Sequence, residues 1–267
     1  NNPYWLVENT GLQDKTDRIL PVLSLVYTPL KWLTVTERLG ADMYLNTTSY
    51  HENTGIIGGD GLGRLYTREN TYQQFNNDFI IEGRKNIGEN ITADVILGNN
   101  VLMNTNTSNY VSGVDLSIPG FYNVSNASTV TSSYYLGRYR KVGFYAQANL
   151  EYKRMLTLAF TGREDGTSVL SVNKQFYPYG SASGGFIFTE PLGMSSSKIM
   201  NFGKIRVSYA SVGDDDIAPY SLTNVYYQVG GFPISTANGT QNGLALTNTN
   251  AYPLKNESVN EFEVGLE

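Results

Sequence analysis

The stretch WLTVTERLGADMYLN, residues 32–46, alternates between apolar and polar side chains over its whole length. Its polar phase has no aliphatic residue and includes Arg38 and Asp42. Its apolar phase contains one charged residue, Glu37, and otherwise consists of Leu33, Val35, Leu39, Ala41, Met43 and Leu45. Because successive side chains of a strand point to opposite faces, the pattern predicts a long strand with one apolar and one polar face. Ordinary strands have about 5–6 residues, whereas a tilted strand that crosses a bilayer in a closed barrel needs about 9–11.

Alternation of this kind recurs along the chain, and helical periodicity is scarce. In the second clear example, Val142, Phe144 and Leu150 share the apolar phase. Gln147 and Asn149 fall in its polar phase. In all, the pattern predicts about nine strands, at 18–28, 32–46, 71–84, 91–100, 142–152, 156–163, 176–188, 204–209 and 261–267.

The predicted connections alternate in length along the chain. Those at 28–31, 85–90 and 153–155 are short, and the one at 189–203 is of moderate length. The others are long and rich in Gly, Asn, Ser and Thr, at 47–70, 101–139, 164–175 and 213–257. Short turns on one rim and long loops on the other are typical of outer-membrane barrels. The predicted fold class is therefore all-β, an antiparallel transmembrane β-barrel.

Composition narrows the range of functions. Only 16 % of the 267 residues are charged, and the net charge of −5 gives no electrostatic basis for binding nucleic acid. The chain has no Cys and one His, His51, so it offers little material for a His-based catalytic triad or a multi-His metal site. No run of about 18 apolar residues predicts a membrane-spanning helix. We therefore expect no metal site, no cofactor and no enzymatic activity.

Six stretches, in order and over nearly the whole chain, resemble the SusC/RagA family of TonB-dependent outer-membrane transporters. They are NPYW (2–5), TPLKWLTVTERLGADMY (28–44), GFYNVSNAS (120–128), RKVGFYAQANLEYKRMLTLAFTGREDGTSVL (140–170), FGKIRVSYASVGDDDIAPY (202–220) and YPLKNESVNEFEVGLE (252–267). The resemblance implies a 22-stranded type of barrel with a plugged lumen, of which about nine strands are present here. Residues 1–267 are then part of one barrel domain. We expect the plug, the N-terminal domains and the flanking strands to lie outside this chain.

The same resemblance implies a function and a set of partners. Such transporters import glycans, or less often peptides, across the outer membrane of a Gram-negative bacterium. A SusD-like surface lipoprotein would cap the outer face, a TonB complex would supply force through parts absent here, and the lipid bilayer would surround the barrel. One alternative is a soluble β-sandwich carbohydrate-binding module, in which the apolar phases pack sheet against sheet. Another is a glycan-cleaving enzyme, which would need two carboxylates about 5–10 Å apart.

Candidate ligand-binding residues lie near the ends of predicted strands and in the long loops. Arg163 falls in the polar phase of its strand, two residues before Asp165. These opposed charges would line the rim of the lumen, where they either contact substrate or pair with the plug. Tyr134 and Tyr135 lie in a predicted loop, where aromatic faces either stack on sugar rings or serve in packing.

The remaining candidates are polar residues placed by their phase. Four are expected to face the lumen: Arg38, Asp42, Gln147 and Asn149. The run Asp214, Asp215 and Asp216 either binds Ca²⁺, which takes several oxygen ligands, or forms a solvated loop. Glu37 stands in an apolar phase, so either a bulge turns it inward or it lies close to the short-turn rim.

Overall fold

The computed structural model describes residues 2–55, 61–194, 196, 198, 200–224, 226–236, 239–246 and 254–267. Within them the chain consists mainly of β-strands, preceded by one helix, α1, at Pro3–Asn9. The helix begins where the Asn2 side chain accepts a hydrogen bond from the backbone N–H of Tyr4, with Pro3 at the first helical position. The strands are β1 (Thr10–Ile19), β2 (Val22–Leu30), β3 (Leu33–Glu52), β4 (Arg64–Ile87), β5 (Ile91–Leu116), β6 (Ala127–Tyr152), β7 (Leu156–Thr167), β8 (Phe176–Ile187), β9 (Lys204–Asp214), β10 (Tyr226–Thr236), β11 (Gly239–Leu246) and β12 (Glu257–Leu266).

One ten-stranded sheet contains all of these strands except β10 and β11. Its hydrogen-bonded order is β1-β3-β4-β5-β6-β7-β8-β9-β12, and β2 also pairs with β3. The pairings β1–β3, β6–β7, β7–β8, β8–β9 and β9–β12 are antiparallel. Strands β3, β4, β5 and β6 contain 20 to 26 residues each, so the long strands predicted from the alternation are confirmed.

The predicted strand at 18–28 is wrong in one respect, because the structure divides this region into β1 and β2. Both strands pair with β3. In the short segment between β1 and β2, the carbonyl of Pro21 still accepts a hydrogen bond from the backbone N–H of Ala41 in β3. Pro21 has no N–H and a fixed φ, so it interrupts the regular ladder at this point. The ten strands of the sheet therefore occupy nine positions among the described residues.

The short connections after β2, β4 and β6 are confirmed, and the long loops are shorter than predicted. The predicted alternation in length fails at the connection between β8 and β9, because residues 188–203 form a longer connection than 53–63 or 117–126. Only Lys31 and Trp32 separate β2 from β3, and only 88–90 separate β4 from β5. The predicted loops 47–70 and 101–139 were wrong in extent, since they are reduced to 53–63 and 117–126 by the lengthening of β3 to β6. Part of the predicted loop 213–257 forms the β10–β11 hairpin, a separate two-stranded sheet.

The turn between β6 and β7 is tight and conformationally unusual. The backbone N–H of Met155 donates to the carbonyl of Tyr152 at 3.0 Å. Lys153 and Arg154, the two central residues, have φ of 50° and 58°. Two consecutive positive φ values are those of a type I′ turn, whose twist matches that of the strands it joins. Neither residue is the Gly or Asn that such a turn favours, so the turn carries backbone strain.

The chain divides into two compact units, which we call unit 1 and unit 2. Unit 1 comprises Asn1–Leu25, Arg38–Asn77 and Leu102–Tyr139, and unit 2 comprises Val26–Glu37, Asp78–Val101 and Arg140–Glu267. Buried apolar residues in unit 1 are Leu65 and Leu116, and those in unit 2 are Val169, Leu170 and Tyr177. Among the described residues, no helix has the length and apolar character needed to cross a membrane.

Candidate functional site

The apolar phases of the long strands face outward rather than into a core. Leu39 of β3 is 45 % exposed and Phe144 of β6 is 53 % exposed. None of the residues that define the apolar phases is buried, namely Leu33, Val35, Leu39, Val142, Phe144 and Leu150. By contrast, the buried residues include two aspartates, Asp165 and Asp215. A water-soluble sandwich would pack its apolar phases inside, so this pattern gives no support to the β-sandwich alternative.

Unit 2 carries a charge cluster on its polar face, formed by Lys141, Arg163, Asp165, Tyr179 and Asp215. Strand pairing brings its members together, since Arg163 of β7 lies opposite Tyr179 of β8. The Asp165 carboxylate, which is 1 % exposed, accepts hydrogen bonds from Arg163 Nε at 2.6 Å and from the Tyr179 hydroxyl at 2.7 Å. A buried carboxylate is stable only when such partners replace its lost hydration.

Lys141 joins the two buried aspartates of the charge cluster. Its Nζ lies 3.3 Å from Asp165 Oδ2 and 2.8 Å from Asp215 Oδ1. One lysine on β6 therefore holds both β7 and the segment that follows β9. The same Nζ lies 5.7 Å from the ring centroid of Tyr177, whose buried hydroxyl has no hydrogen-bond partner among the described residues.

These contacts bear on the predicted roles of Arg163 and Asp165. The predicted loop 164–175 is wrong at its start, because Asp165 lies in β7, which extends to Thr167. Residues two apart on a strand share a face, and Arg163 and Asp165 pair with each other there. Arg163 keeps part of its side chain accessible, at 30 %, whereas Asp165 is enclosed by donors. Contact between this pair and a ligand stays a prediction, with Arg163 the member that has surface left for it.

The Asp214–Asp216 run is divided between two environments. Asp215 is buried and paired with Lys141. Asp214 accepts a hydrogen bond at 3.1 Å from the backbone N–H of Asp216, which closes a local turn. Among the described residues, no three His, Cys, Asp or Glu side chains come together in an arrangement suited to a metal ion.

Three of the four residues expected to face the lumen, Asp42, Gln147 and Asn149, hydrogen-bond to other polar side chains. Asp42 accepts two hydrogen bonds from Arg18, at 2.8 and 2.6 Å. Gln147 donates to Asn149 at 3.2 Å, and Asn149 donates to Asp94 at 3.3 Å. Arg38 is exposed on β3. Their orientation towards a lumen stays a prediction, supported by these same-phase contacts.

The tyrosines proposed as a stacking pair, Tyr134 and Tyr135, lie within β6 rather than in a loop, so their predicted setting was wrong. Both are exposed. Consecutive residues of a strand point to opposite faces, so a ligand on one face of the sheet meets at most one of the two rings. Ligand contact by either ring stays a prediction.

Glu37, the charged residue in the apolar phase, lies near the beginning of β3. It is only partly exposed and is four residues after Leu33, about 13 Å along the strand at about 3.3 Å per residue. The tight turn at Lys31–Trp32 precedes that strand. This position accords with the alternative that Glu37 lies towards the short-turn rim.

Unit 1 contains a groove that the sequence did not reveal. It has a volume of about 600 Å³ and lies on the polar face formed by β1, β3, β4 and β5. Its lining side chains carry hydroxyl, amide, guanidinium and phenol groups, on Thr16, Arg18, Tyr44, Asn46, Asn70 and Asn106. The alternation places Tyr44 and Asn46 on the polar face of β3. The residues opposite them on β1 could not be identified, because they depend on strand register.

Stacked aromatic rings support the wall of this groove. The rings of Tyr44 and Tyr72 are 5.0 Å apart and inclined by 14°, and Arg18 Cζ lies 5.9 Å from the Tyr44 centroid. Asn104 donates to the Tyr72 hydroxyl at 2.9 Å, and that hydroxyl donates to Gln74 at 2.7 Å. These contacts hold the Tyr44 and Tyr72 rings against each other at the wall of the groove.

A second polar contact of unit 1 lies at the far end of β3. Arg64 Nη2 donates to Glu52 Oε1 at 2.6 Å, and the Tyr50 hydroxyl donates to the same oxygen. Partial burial acts to raise the pKa of the Glu52 carboxyl, but the hydrogen bonds from Arg64 and Tyr50 outweigh it, so the pKa lies below its usual value. Glu52 is the last residue of β3, well beyond its alternating part.

Comparison with known proteins agrees with these features. No family model matches the chain. The TonB-dependent receptor P26 of Formosa agariphila is 29 % identical over 230 residues, which make up 83 % of this chain and 22 % of that protein. The resemblance to TonB-dependent receptors that the sequence motifs indicated is thereby confirmed.

Solved structures share the fold. A structure described as the RagAB peptide transporter superposes with a TM-score of 0.84 over 99 % of this chain and 29 % of that chain, at 17 % identity. The RagAB peptide importer in its "open-open" state gives a TM-score of 0.82 over the same shares. This chain thus spans less than a third of the proteins it matches, and in fold it corresponds to a segment of a larger β-barrel.

Proposed function

We propose that this chain forms part of the barrel wall of a TonB-dependent importer of glycans or other large nutrients, such as peptides, in the outer membrane of a Gram-negative bacterium. The observation that carries the proposal is the reversed burial pattern, with apolar side chains exposed along strands of 20 residues or more and charges buried. The sequence likeness to a TonB-dependent receptor supports it independently.

In this role the two faces of the sheet do different work. The apolar phase meets lipid, and each apolar side chain removed from water there stabilises the membrane-inserted state by about 1.5–3 kcal/mol. The polar phase borders the lumen, where it wets the passage and meets the plug. The barrel's contribution is thus the positioning of groups rather than covalent chemistry, and no enzymatic activity is part of the proposal.

The partners follow from the same proposal. A TonB complex would act through parts of the protein outside this chain, and a SusD-like surface lipoprotein would cap the outer face. The solved structures named RagAB support a two-component assembly, and their description names peptides as the cargo of that protein.

Spin labelling at two neighbouring positions of β6 tests the orientation of the faces. The chain contains no Cys, so a single label can be placed at Phe144→Cys and, in a matched variant, at Tyr145→Cys. In proteoliposomes we expect molecular oxygen, which concentrates in hydrocarbon, to relax the label at 144 more strongly. A water-soluble nickel chelate should relax the label at 145 more strongly. Equal accessibility at both positions, or the reverse order, would refute the proposed lipid face.

Uptake measurements test the energy coupling separately. Cells that express the intact receptor should accumulate labelled nutrient, and deletion of the TonB system should abolish accumulation while leaving surface binding in place. Accumulation that persists without TonB would show that the barrel acts as a passive channel and would contradict the proposal.

A further inference from the structure

Three tight turns lie next to one another at one end of unit 2. They join β2 to β3 at 31–32, β4 to β5 at 88–90 and β6 to β7 at 153–155. The backbone N–H of Arg84 donates to the carbonyl of Trp32 at 2.8 Å. The backbone N–H of Lys153 donates to the carbonyl of Asn90 at 2.7 Å. These hydrogen bonds tie the turns into one continuous rim.

This rim is positively charged, unlike the chain as a whole. Residues 31–32, 84–90 and 151–154 carry five cations and two carboxylates, whereas the whole chain has a net charge of −5. We call these cations the basic rim, and they are Lys31, Arg84, Lys85, Lys153 and Arg154. All five side chains are exposed, and none of them forms an ion pair within the part of the chain that the structure describes. The basic rim is therefore free to meet an anionic partner.

Two aromatic side chains place the basic rim at the edge of the apolar face. Tyr152 is the last residue of the apolar phase of β6, and Lys153 Nζ lies 5.4 Å from its ring centroid. The Trp32 ring packs over Gly83, where a Cβ would lie 3.8 Å from two ring carbons. Gly83 falls in the same phase of β4 as the exposed Phe79. Because Trp and Tyr concentrate at membrane–water interfaces, the cations beside them would stand at the level of lipid headgroups in the proposed barrel.

The turn between β6 and β7 gives up stability to carry two of these cations. Lys153 and Arg154 have φ of 50° and 58°, which Asn and Gly adopt at lower cost. Strained backbone of this kind is concentrated at functional positions. What Lys153 and Arg154 add over Asn and Gly is positive charge.

An anionic phospholipid matches this surface in both charge and position. Its phosphate accepts strong hydrogen bonds from Arg and Lys, and its acyl chains would lie along the apolar face beside Tyr152 and Trp32. A zwitterionic lipid carries its own cation, so it gains less from the basic rim. A soluble polyanion would match the charge but would leave the adjoining apolar face uncovered.

We propose that the basic rim binds the headgroups of anionic phospholipids in the leaflet on the short-turn side of the membrane. The inference rests on the proposed membrane-spanning function and goes beyond it by naming a lipid class and the residues that select it. Each cation near an anionic membrane surface strengthens binding about fivefold. Lys153 and Arg154 are the most direct probes, because they follow Tyr152 in the chain.

The test is native mass spectrometry of the intact receptor in mild detergent. The receptor is titrated with phosphatidylglycerol or with phosphatidylcholine of the same acyl chains. Without substitutions it should bind phosphatidylglycerol at least about tenfold more tightly. Lys153→Gln combined with Arg154→Gln should weaken phosphatidylglycerol binding about 10- to 30-fold and leave phosphatidylcholine binding unchanged.

Single substitutions separate charge from the shape of the turn. Arg154→Lys keeps the charge and should retain phosphatidylglycerol binding within about twofold. Arg154→Gly adopts the positive φ without strain, so a purely structural role predicts a more stable receptor with unchanged lipid binding. The proposal instead predicts a more stable receptor that binds phosphatidylglycerol about fivefold more weakly.

The matched control is Lys174→Gln. Lys174 is also exposed, but it lies in the connection between β7 and β8, beyond the opposite end of β7. This substitution should leave both lipid affinities unchanged. If it weakens phosphatidylglycerol binding as much as the loss of Lys153 and Arg154 does, the effect is one of overall charge and the proposal is wrong.

Two further outcomes would overturn the proposal. Equal affinity for the two lipids would refute the lipid class. Selectivity that survives the double substitution would refute the location and would leave the basic rim as a surface for a periplasmic protein. The spin-label comparison at 144 and 145 reports on the lipid face alone, so its expected order with a failed lipid titration refutes only the basic rim, whereas equal accessibility there refutes the proposed function.

Discussion

Lys141 provides a sharp test of the buried charge cluster. Replacing it with Met keeps a long flexible side chain of similar shape but removes the ammonium group that lies 2.8 Å from Asp215 and 3.3 Å from Asp165. Both aspartates are more than nine-tenths buried. We therefore expect Lys141→Met to lower the free energy of unfolding strongly, since removal of one partner leaves charge in a site that water does not reach.

The expected loss of unfolding free energy in Lys141→Met depends on the hydrogen bonds that the two aspartates keep. Breaking a buried ion pair on one side commonly costs about 3–5 kcal/mol. Asp165 keeps its hydrogen bonds from Arg163 and Tyr179, which limits the loss at that carboxylate. We expect about 3 kcal/mol, near the lower end of that range, and we expect Asp215→Asn in the same background to recover at least about 1 kcal/mol by removing the unbalanced charge.

The measurement is urea unfolding of the intact receptor in detergent or liposomes, followed by fluorescence. The matched control is Lys15→Met, because Lys15 also lies 2.9 Å from an aspartate, Asp17, but in a fully solvated pair. Exposed ion pairs contribute little, so this control should show no measurable change. If Lys141→Met proves as harmless as Lys15→Met, or if Asp215→Asn recovers nothing, the buried cluster does not stabilise the wall as argued.

Three further predictions address the turn, the outer face and the end of β3. Arg154→Gly should raise the free energy of unfolding of the receptor by about 0.5–1 kcal/mol, measured in urea. A positive φ costs residues other than Gly about 1–2 kcal/mol, and the greater entropy of Gly in the unfolded chain offsets part of that gain. A loss of stability would count against strain in this turn. Phe144→Arg should destabilise the membrane-inserted receptor by up to about 2–4 kcal/mol, whereas Gln147→Arg on the polar phase should change folding yield little; equal effects would argue against two unlike faces. Glu52→Gln should lower stability by less than about 1 kcal/mol at neutral pH. Because the folded pKa of Glu52 is depressed, this difference should disappear as the pH falls through that pKa, and a difference that persists at low pH would point to packing instead.

Much of the fold could be predicted from the sequence, because a strand whose two faces meet different surroundings alternates between apolar and polar residues. Residues 33–46 and 142–152 lie in β3 and β6 with the expected exposure of their apolar phases. The ends of the strands could not be predicted in the same way. Segments such as NTTSYHE, at the end of β3, are polar in both phases, so they read as loop although their backbone continues to pair with β1.

The candidate site was predictable only as far as one strand reaches. The alternation predicts Arg163 on a strand but assigns Asp165 to the loop at 164–175, and only the extension of β7 to Thr167 places the two on one face. Lys141 and Asp215 join them through strand register and through the return of the chain after β9, which no local pattern encodes. The groove in unit 1 depends in the same way on the pairing of Asn46 with Thr16 across β1 and β3.

In β3 and β6 the apolar phase is shorter than the strand, and its length can be compared with the thickness of a membrane. The apolar phase of β3 runs from Leu33 to Leu45, about 40 Å at about 3.3 Å per residue, and a tilt of about 45° reduces this to about 28 Å along the membrane normal. The apolar phase of β6, from Val142 to Tyr152, gives about 23 Å by the same reasoning. Both values lie close to the apolar band of about 25 Å around outer-membrane barrels. In the proposed membrane-inserted barrel, the strands would therefore lose their apolar phase where hydrocarbon ends, since beyond that level water would bathe both faces. In that proposed barrel, the end of the apolar phase of β3 would lie beside Tyr44 and Asn46, so the groove in unit 1 that they line would lie at the loop-side edge of the apolar band.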